Sequence, residues 1–116
     1  IECSHFPQYH AFFDTLYSDV SGTIDPIAEY IRILGHYTPG SLSRYLELTI
    51  IEDQTKIPRA ELMIAELFDD NEKMVAYLKE TFRVAEGEDE QGIADFLAGR
   101  DSAHKKWAWQ LRSSLK

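Results

Sequence analysis

His10 and Asp14 stand four residues apart in the stretch HAFFD, and Asp25 and Glu29 repeat that spacing in DPIAE. On a helix such a step is about one turn, so each pair sets two metal-binding side chains on one face. One imidazole with three carboxylates suits a hard divalent ion such as iron, whereas structural zinc sites prefer thiolates and imidazoles. At about 1.5 Å per residue, however, the pairs lie roughly 15 to 20 Å apart along the axis. No single ion can touch both within one chain.

Phase decides where the pairs face. At about 100° per residue with His10 at zero, Asp14 falls near 40°, Asp25 near 60° and Glu29 near 100°. The apolar residues Phe12, Phe13, Leu16, Val20, Ile24, Ile27, Ile31 and Leu34 gather around 270° on the same reckoning. The donor stripe therefore faces away from the core of its own chain. A two-fold axis near residues 19 and 20 resolves the distance. If the helix lies antiparallel on its own copy, His10 and Asp14 of one subunit meet Asp25 and Glu29 of the other, giving two equivalent sites. Ser18, Ser21 and Gly22 lie between the pairs, with Ala11 and Ala28 beside them, and such small residues permit close approach. Spacing alone also admits a plainer account, in which these acids are a solvated helix face.

The elements that must position these residues read as helical almost throughout. Three- and four-residue apolar steps mark one helix over residues 9 to 34, kinked at Pro26, with Gly35 as its stop. Thr38-Pro39-Gly40-Ser41 is a turn, and Ser41 caps a short helix through Leu48. Pro58 suits the first position of the next helix, about 59 to 85, with Ile64, Leu67, Phe68, Val75, Leu78 and Phe82 inward. The acidic break Glu86-Gly87-Glu88-Asp89-Glu90 ends it. A last helix, about 89 to 115, turns Ile93, Phe96, Leu97, Trp107, Leu111 and Leu115 inward. The expected fold class is all-α: a four-helix bundle short of one member, with a short crossing helix.

Composition bounds the function. A chain of 116 residues fits a single domain, 1–116, and with 44% hydrophobic residues, six glycines and four prolines it is globular rather than disordered. The net charge of −8 opposes a nucleic-acid-binding surface and suits cation attraction. The single cysteine, Cys3, excludes an internal disulfide, so a reducing, cytoplasmic setting is expected. No apolar run approaches the roughly 18 residues of a membrane span.

HAFFD, then DPIAE eleven residues on from its aspartate, then IRILG, a P-G-S turn and the C-terminal AHKKWAWQLRSSL together resemble the Dps family of miniature ferritins. The likeness covers nearly the whole chain. It implies a ferritin-like fold and a homo-dodecameric hollow shell of tetrahedral symmetry, with ferroxidase sites at antiparallel two-fold helix contacts. Such a shell oxidises Fe(II), commonly with hydrogen peroxide in preference to oxygen, and stores ferric mineral. Carried over, His10 and Asp14 match the ligands of one subunit, and Asp25 and Glu29 the principal iron-binding pair of its mate. The family has a further ligand histidine in a His-Trp-Asn motif, and ungapped alignment puts that asparagine directly before Ile1. The first helix of the bundle and its histidine are therefore expected to precede Ile1, and His5 sits too far along the chain to replace it.

The resemblance also implies three-fold pores lined by carboxylates near the start of the last helix, matched best by Asp95, with Glu88 and Asp89 at the mouth. Asp89 has a plainer role too, since acids favour helix N-termini. Trp107 and Trp109 are candidates to quench stray oxidising equivalents, although their spacing is equally that of packing residues. His36 is expected exposed in a turn, and His104 to pack on a partly buried face. DNA binding in the family often depends on lysine-rich tails, and none is visible. Lys105, Lys106, Arg112 and Lys116 make only a basic helix end, so tight DNA binding is not expected. Two further classes stay open: a Dps-like shell without ferroxidase activity, serving a structural or DNA-protecting assembly, and a generic helical interaction module. A larger ferritin-type cage would place its di-iron ligands inside one bundle, whereas this stripe faces outward.

Overall fold

The first helix, α1 (Phe6–Ser21), carries Pro7 in its opening turn, where a missing N–H leaves no extra unpaired donor. It is followed by α2 (Ile24–Ile33), α3 (Leu42–Leu48), α4 (Ala60–Gly87) and α5 (Gln91–Ser114). The computed structural model describes all of residues 1–116 and contains no strand. No helix is long and apolar enough to cross a membrane. The all-α expectation is met. Two compact units make up the chain, Ile1–Asp53 and Gln54–Lys116.

Within the first unit, the single helix expected over residues 9 to 34 is two helices, and the break falls at Gly22–Thr23 rather than at Pro26. Pro26 supplies no N–H to the Gly22 carbonyl, and its ring crowds that carbonyl, so the disturbance lands one turn before the proline. Thr23 N–H donates to the Val20 carbonyl at 3.0 Å, a tightened step, and the Thr23 hydroxyl donates to the same oxygen at 2.7 Å. Gly22 and Thr23 both keep right-handed helical dihedrals, so helical bonding resumes at once from Ile27 N–H to the Thr23 carbonyl.

The eight apolar residues assigned to the inner face of this segment are not a core within the chain. Neither α1 nor α2 holds a buried residue, and Ile24, Ile27 and Leu34 are openly exposed. Periodicity locates an apolar face but cannot say what covers it. Gly35, at φ 89°, ends α2 as expected. His36 N–H reaches the Ile31 carbonyl and Gly35 N–H that of Arg32, the paired bonds of a Schellman stop. Ser41 caps α3 by accepting from Arg44 N–H at 3.2 Å.

In the second unit α4 and α5 form a hairpin around the Glu88–Glu90 turn. Every buried residue of the chain lies here: Ile64, Asn71, Val75, Leu78 and Ala85 on α4, and Ala94, Leu97, His104, Ala108 and Leu111 on α5. Leu78, Ala85, Ala94 and Leu97 form one cluster, with Met74, Phe82, Ile93 and Phe96 packed on it. The alanines bring the helices close near the turn, and Leu111 is fully enclosed. Boundaries shift slightly from the sequence reading. Arg59, extended, takes the N-cap of α4, so Pro58 lies just outside it. Leu115, expected inward, is the exposed C-cap of α5, beyond the last turn that α4 can cover.

The turn itself differs from expectation. Gly87 ends α4 inside the helix, and Asp89 takes the left-handed conformation at φ 56°. Glu90 N–H reaches the Ala85 carbonyl at 2.9 Å and Asp89 N–H that of Glu86 at 3.1 Å. This is the same stop as at Gly35, with aspartate where glycine is usual. Aspartate tolerates it better than most residues with a Cβ.

Candidate metal centre

His10 and Asp14 lie one turn apart on α1, and Asp25, in the first turn of α2, is followed one turn later by Glu29. All four side chains are exposed. None takes part in a hydrogen bond or ion pair within the chain, so all their donor atoms remain uncommitted. The one contact that orients any of them is aromatic: the His10 ring stacks on Phe6, with centroids 5.2 Å apart and planes 21° from parallel. On the neighbouring stripe Tyr9 stacks on Phe13 at 6.2 Å, and Phe12 meets Phe13 at 5.7 Å. Asp25 has a second effect at its position, since a carboxylate there complements the helix dipole of α2.

The chain does not gather the four into one cluster. Nowhere do three or more His, Cys, Asp or Glu side chains come together to hold a metal. What the fold presents is two half-sets, an imidazole with one carboxylate and a pair of carboxylates, each open on one side. The donor types fit Fe(II) and Fe(III), which favour oxygen ligands with an occasional imidazole.

The other candidates are scattered. Glu88 and Asp89 are consecutive residues of the α4–α5 turn and Asp95 lies one turn into α5, all three exposed. His5 is the exposed N-cap of α1 and makes no capping bond through its side chain. Cys3 and His36 are exposed, as are Glu52 and Asp53, and Glu47 pairs with Arg44 at 2.7 Å. Trp107 is half-buried, while Trp109 is 54% exposed and so is not a core residue of this chain.

His104 is buried, as its packing role requires, but its setting is polar. Its Nδ1 lies 2.8 Å from Asn71 Oδ1, and Asn71 Nδ2 donates to the His104 carbonyl at 2.8 Å. With the amide nitrogen so engaged, Asn71 Oδ1 accepts and His104 Nδ1 donates. Nε2 then accepts from Arg100 Nη2 at 3.1 Å. Asn71 was not singled out in the sequence, yet the signal is there: it falls seven residues after Ile64 and seven before Leu78, on the inward stripe of α4. One basic group is perturbed. Lys105 Nζ sits 2.9 Å from Asp101, and that hydrogen bond and charge hold its pKa above the ordinary 10.5.

Against known proteins, the ferritin-like domain family matches residues 2–116. An uncharacterised low temperature-induced protein of Nostoc is 35% identical over 113 residues, covering 96% of this chain and 63% of that protein. The chain thus spans less than two thirds of that relative. The DNA protection during starvation protein 2 of Bacillus anthracis is 32% identical over 112 residues, covering 94% of this chain and 77% of that protein. Among solved structures, a Dps protein from Bacillus brevis superposes with a TM-score of 0.95 at 29% identity, over 99% of this chain and 77% of that one.

Proposed function

The chain belongs to the ferritin-like domain family and, within it, to the Dps proteins, and from that premise we propose that it builds a hollow multi-subunit shell that takes up Fe(II), oxidises it at sites shared between subunits and stores the ferric product. The observation that carries this reading is the pair of open half-sets. His10 and Asp14 on one side, and Asp25 and Glu29 on the other, are exposed and uncommitted, and the chain alone never assembles them. A second copy related by a two-fold axis supplies the missing half to each.

Iron is the substrate here, not a resident cofactor. Oxygen donors hold Fe(II) and favour Fe(III) as it forms. Two irons each give up one electron, and hydrogen peroxide, taking both with two protons, becomes two waters without releasing hydroxyl radical. Twelve subunits would complete a closed shell, with Asp95, Glu88 and Asp89 attracting cations at its three-fold openings. The charge of −8 on residues 1–116 repels phosphate, so tight DNA binding by these residues is not expected.

Mixing two inactive variants tests the shared site. Alone, His10→Ala/Asp14→Ala and Asp25→Ala/Glu29→Ala should each fail to oxidise Fe(II) with peroxide under anaerobic conditions. Co-assembled in equal amounts they should regain about a quarter of the wild-type rate, because half of the two-fold pairs are mixed and each mixed pair holds one intact site of two. No recovery would place the reaction elsewhere. Equal slow rates in the wild type and all variants would leave a container without ferroxidase activity.

A further inference from the structure

We propose that Phe6 is the positioning residue for His10, fixing the plane and direction of the imidazole before metal arrives. The inference rests on the shared-site reading above and deepens it. A metal-binding histidine is ordinarily steered by a hydrogen bond from its second ring nitrogen to a carboxylate, carbonyl or water. His10 has no such bond within the chain, and its one ring contact is the stack on Phe6, 5.2 Å away and 21° from parallel.

Helix geometry makes the pairing follow from the sequence. Side chains lean toward the helix N-terminus, so residue 10 comes down over residue 6 one turn earlier. An offset stack engages the face of the imidazole and leaves its edge free, and both nitrogens lie on that edge. The ring thus keeps its ligating atoms open while losing the freedom to rotate its plane. Phe6 is itself 43% exposed, too open to be explained as part of a core in the chain. Pro7 holds the first turn of α1 that carries it. The stack replaces a hydrogen-bonded orienter with a flat apolar surface, and so spends no polar group that would compete for the ion.

Co(II) alone, followed by its visible absorption in the full-length assembled protein, reads ligation without turnover. Phe6→Leu keeps an apolar side chain but removes the flat face; Phe6→Tyr keeps the face. An aromatic pair of this kind contributes enough to predict a roughly two- to tenfold weaker Co(II) affinity for Phe6→Leu. Phe6→Tyr should stay near wild type. The loss should vanish in a His10→Ala background, where nothing remains to be oriented. Sedimentation checks that each variant assembles, and Phe6→Met takes the place of Phe6→Leu if the latter does not. Wild-type affinity in Phe6→Leu, with weakened binding in His10→Ala, overturns the positioning role and leaves the shared site standing. An undiminished affinity in His10→Ala overturns both, since His10 would then not be a ligand.

Discussion

Two sets of polar side chains, one in each unit of this chain, are held in opposite ways. In Ile1–Asp53 the side chains of His10, Asp14, Asp25 and Glu29 stand exposed and unpaired, on helices without a fully buried residue. In Gln54–Lys116 the polar residues Asn71 and His104 are buried and joined by two hydrogen bonds, within the helical pair that holds all of the chain's buried residues. A buried polar group left unpaired costs on the order of 1–3 kcal/mol, which Asn71 and His104 avoid by bonding to each other, while Asp101 Oδ1 and Gln110 Oε1 of the same unit stay enclosed without a partner. An exposed one costs little, so the first can hold donors ready for something outside the chain. The Asn71–His104 pair therefore serves the structure, whereas His10, Asp14, Asp25 and Glu29 keep their polar atoms available.

The largest test of that contrast sets one variant from each unit side by side. Asp25→Ala/Glu29→Ala should lower peroxide-driven Fe(II) oxidation by at least about a hundredfold, because even outer-shell substitutions at metal sites cost ~10–100-fold. Its melting temperature should barely move. Leu111→Ala should do the reverse, costing about 2–5 kcal/mol as a cavity opens where the side chain is fully enclosed. Thermal melts and stopped-flow rates on both proteins would show whether stability and activity separate by unit.

A smaller effect probes the buried polar pair. Asn71→Leu strands His104 Nδ1–H and should destabilise by roughly 1–3 kcal/mol in denaturant titrations. A neutral outcome would mean that water reaches His104 and that the second unit is less closed than its burial indicates.

The α4–α5 turn gives a finer test. Asp89→Val puts a β-branched residue at φ 56° and should cost about 1–2 kcal/mol. Asp89→Gly relieves the left-handed strain and should match or exceed the wild type in stability. If Asp89 also lines a pore, both variants should slow iron entry alike, which separates its charge from its backbone role.

The smallest effect is electrostatic. The Lys105 pKa is raised by Asp101, so its contribution is present below the ordinary lysine value and is lost as pH rises through the raised one. Melts of the wild type and Lys105→Met should differ slightly at neutral pH and converge in strong alkali. Lys105 is solvent-exposed while Asp101 is half-buried, so added salt should shrink the difference without abolishing it.

How much of this could be read in advance follows from the range of each interaction. The two i,i+4 donor pairs, the Gly35 stop, the Ser41 cap and the inward stripe of α4 are set by neighbours within a turn or two. Residue identity and helical period suffice for them. The family likeness was likewise carried by local strings such as HAFFD and DPIAE. The break at Gly22–Thr23 was half legible: Pro26 announced a disturbance, but where it is absorbed depends on which nearby peptide yields most easily. The left-handed backbone of Asp89 was not legible, because it shows only once α4 and α5 close the turn between them.

By itself, then, the sequence determined the helical periods, the stops and which side chains can bind a metal, since each depends on residues a few positions apart. Only the tertiary structure decided that Asn71 meets His104 across 33 positions, that the buried residues all belong to α4 and α5, and that the apolar stripe of α1 and α2 is nowhere fully buried. Those outcomes depend on which distant surfaces come into contact, and the free energy of burial is settled by the contact rather than by either strip of residues alone.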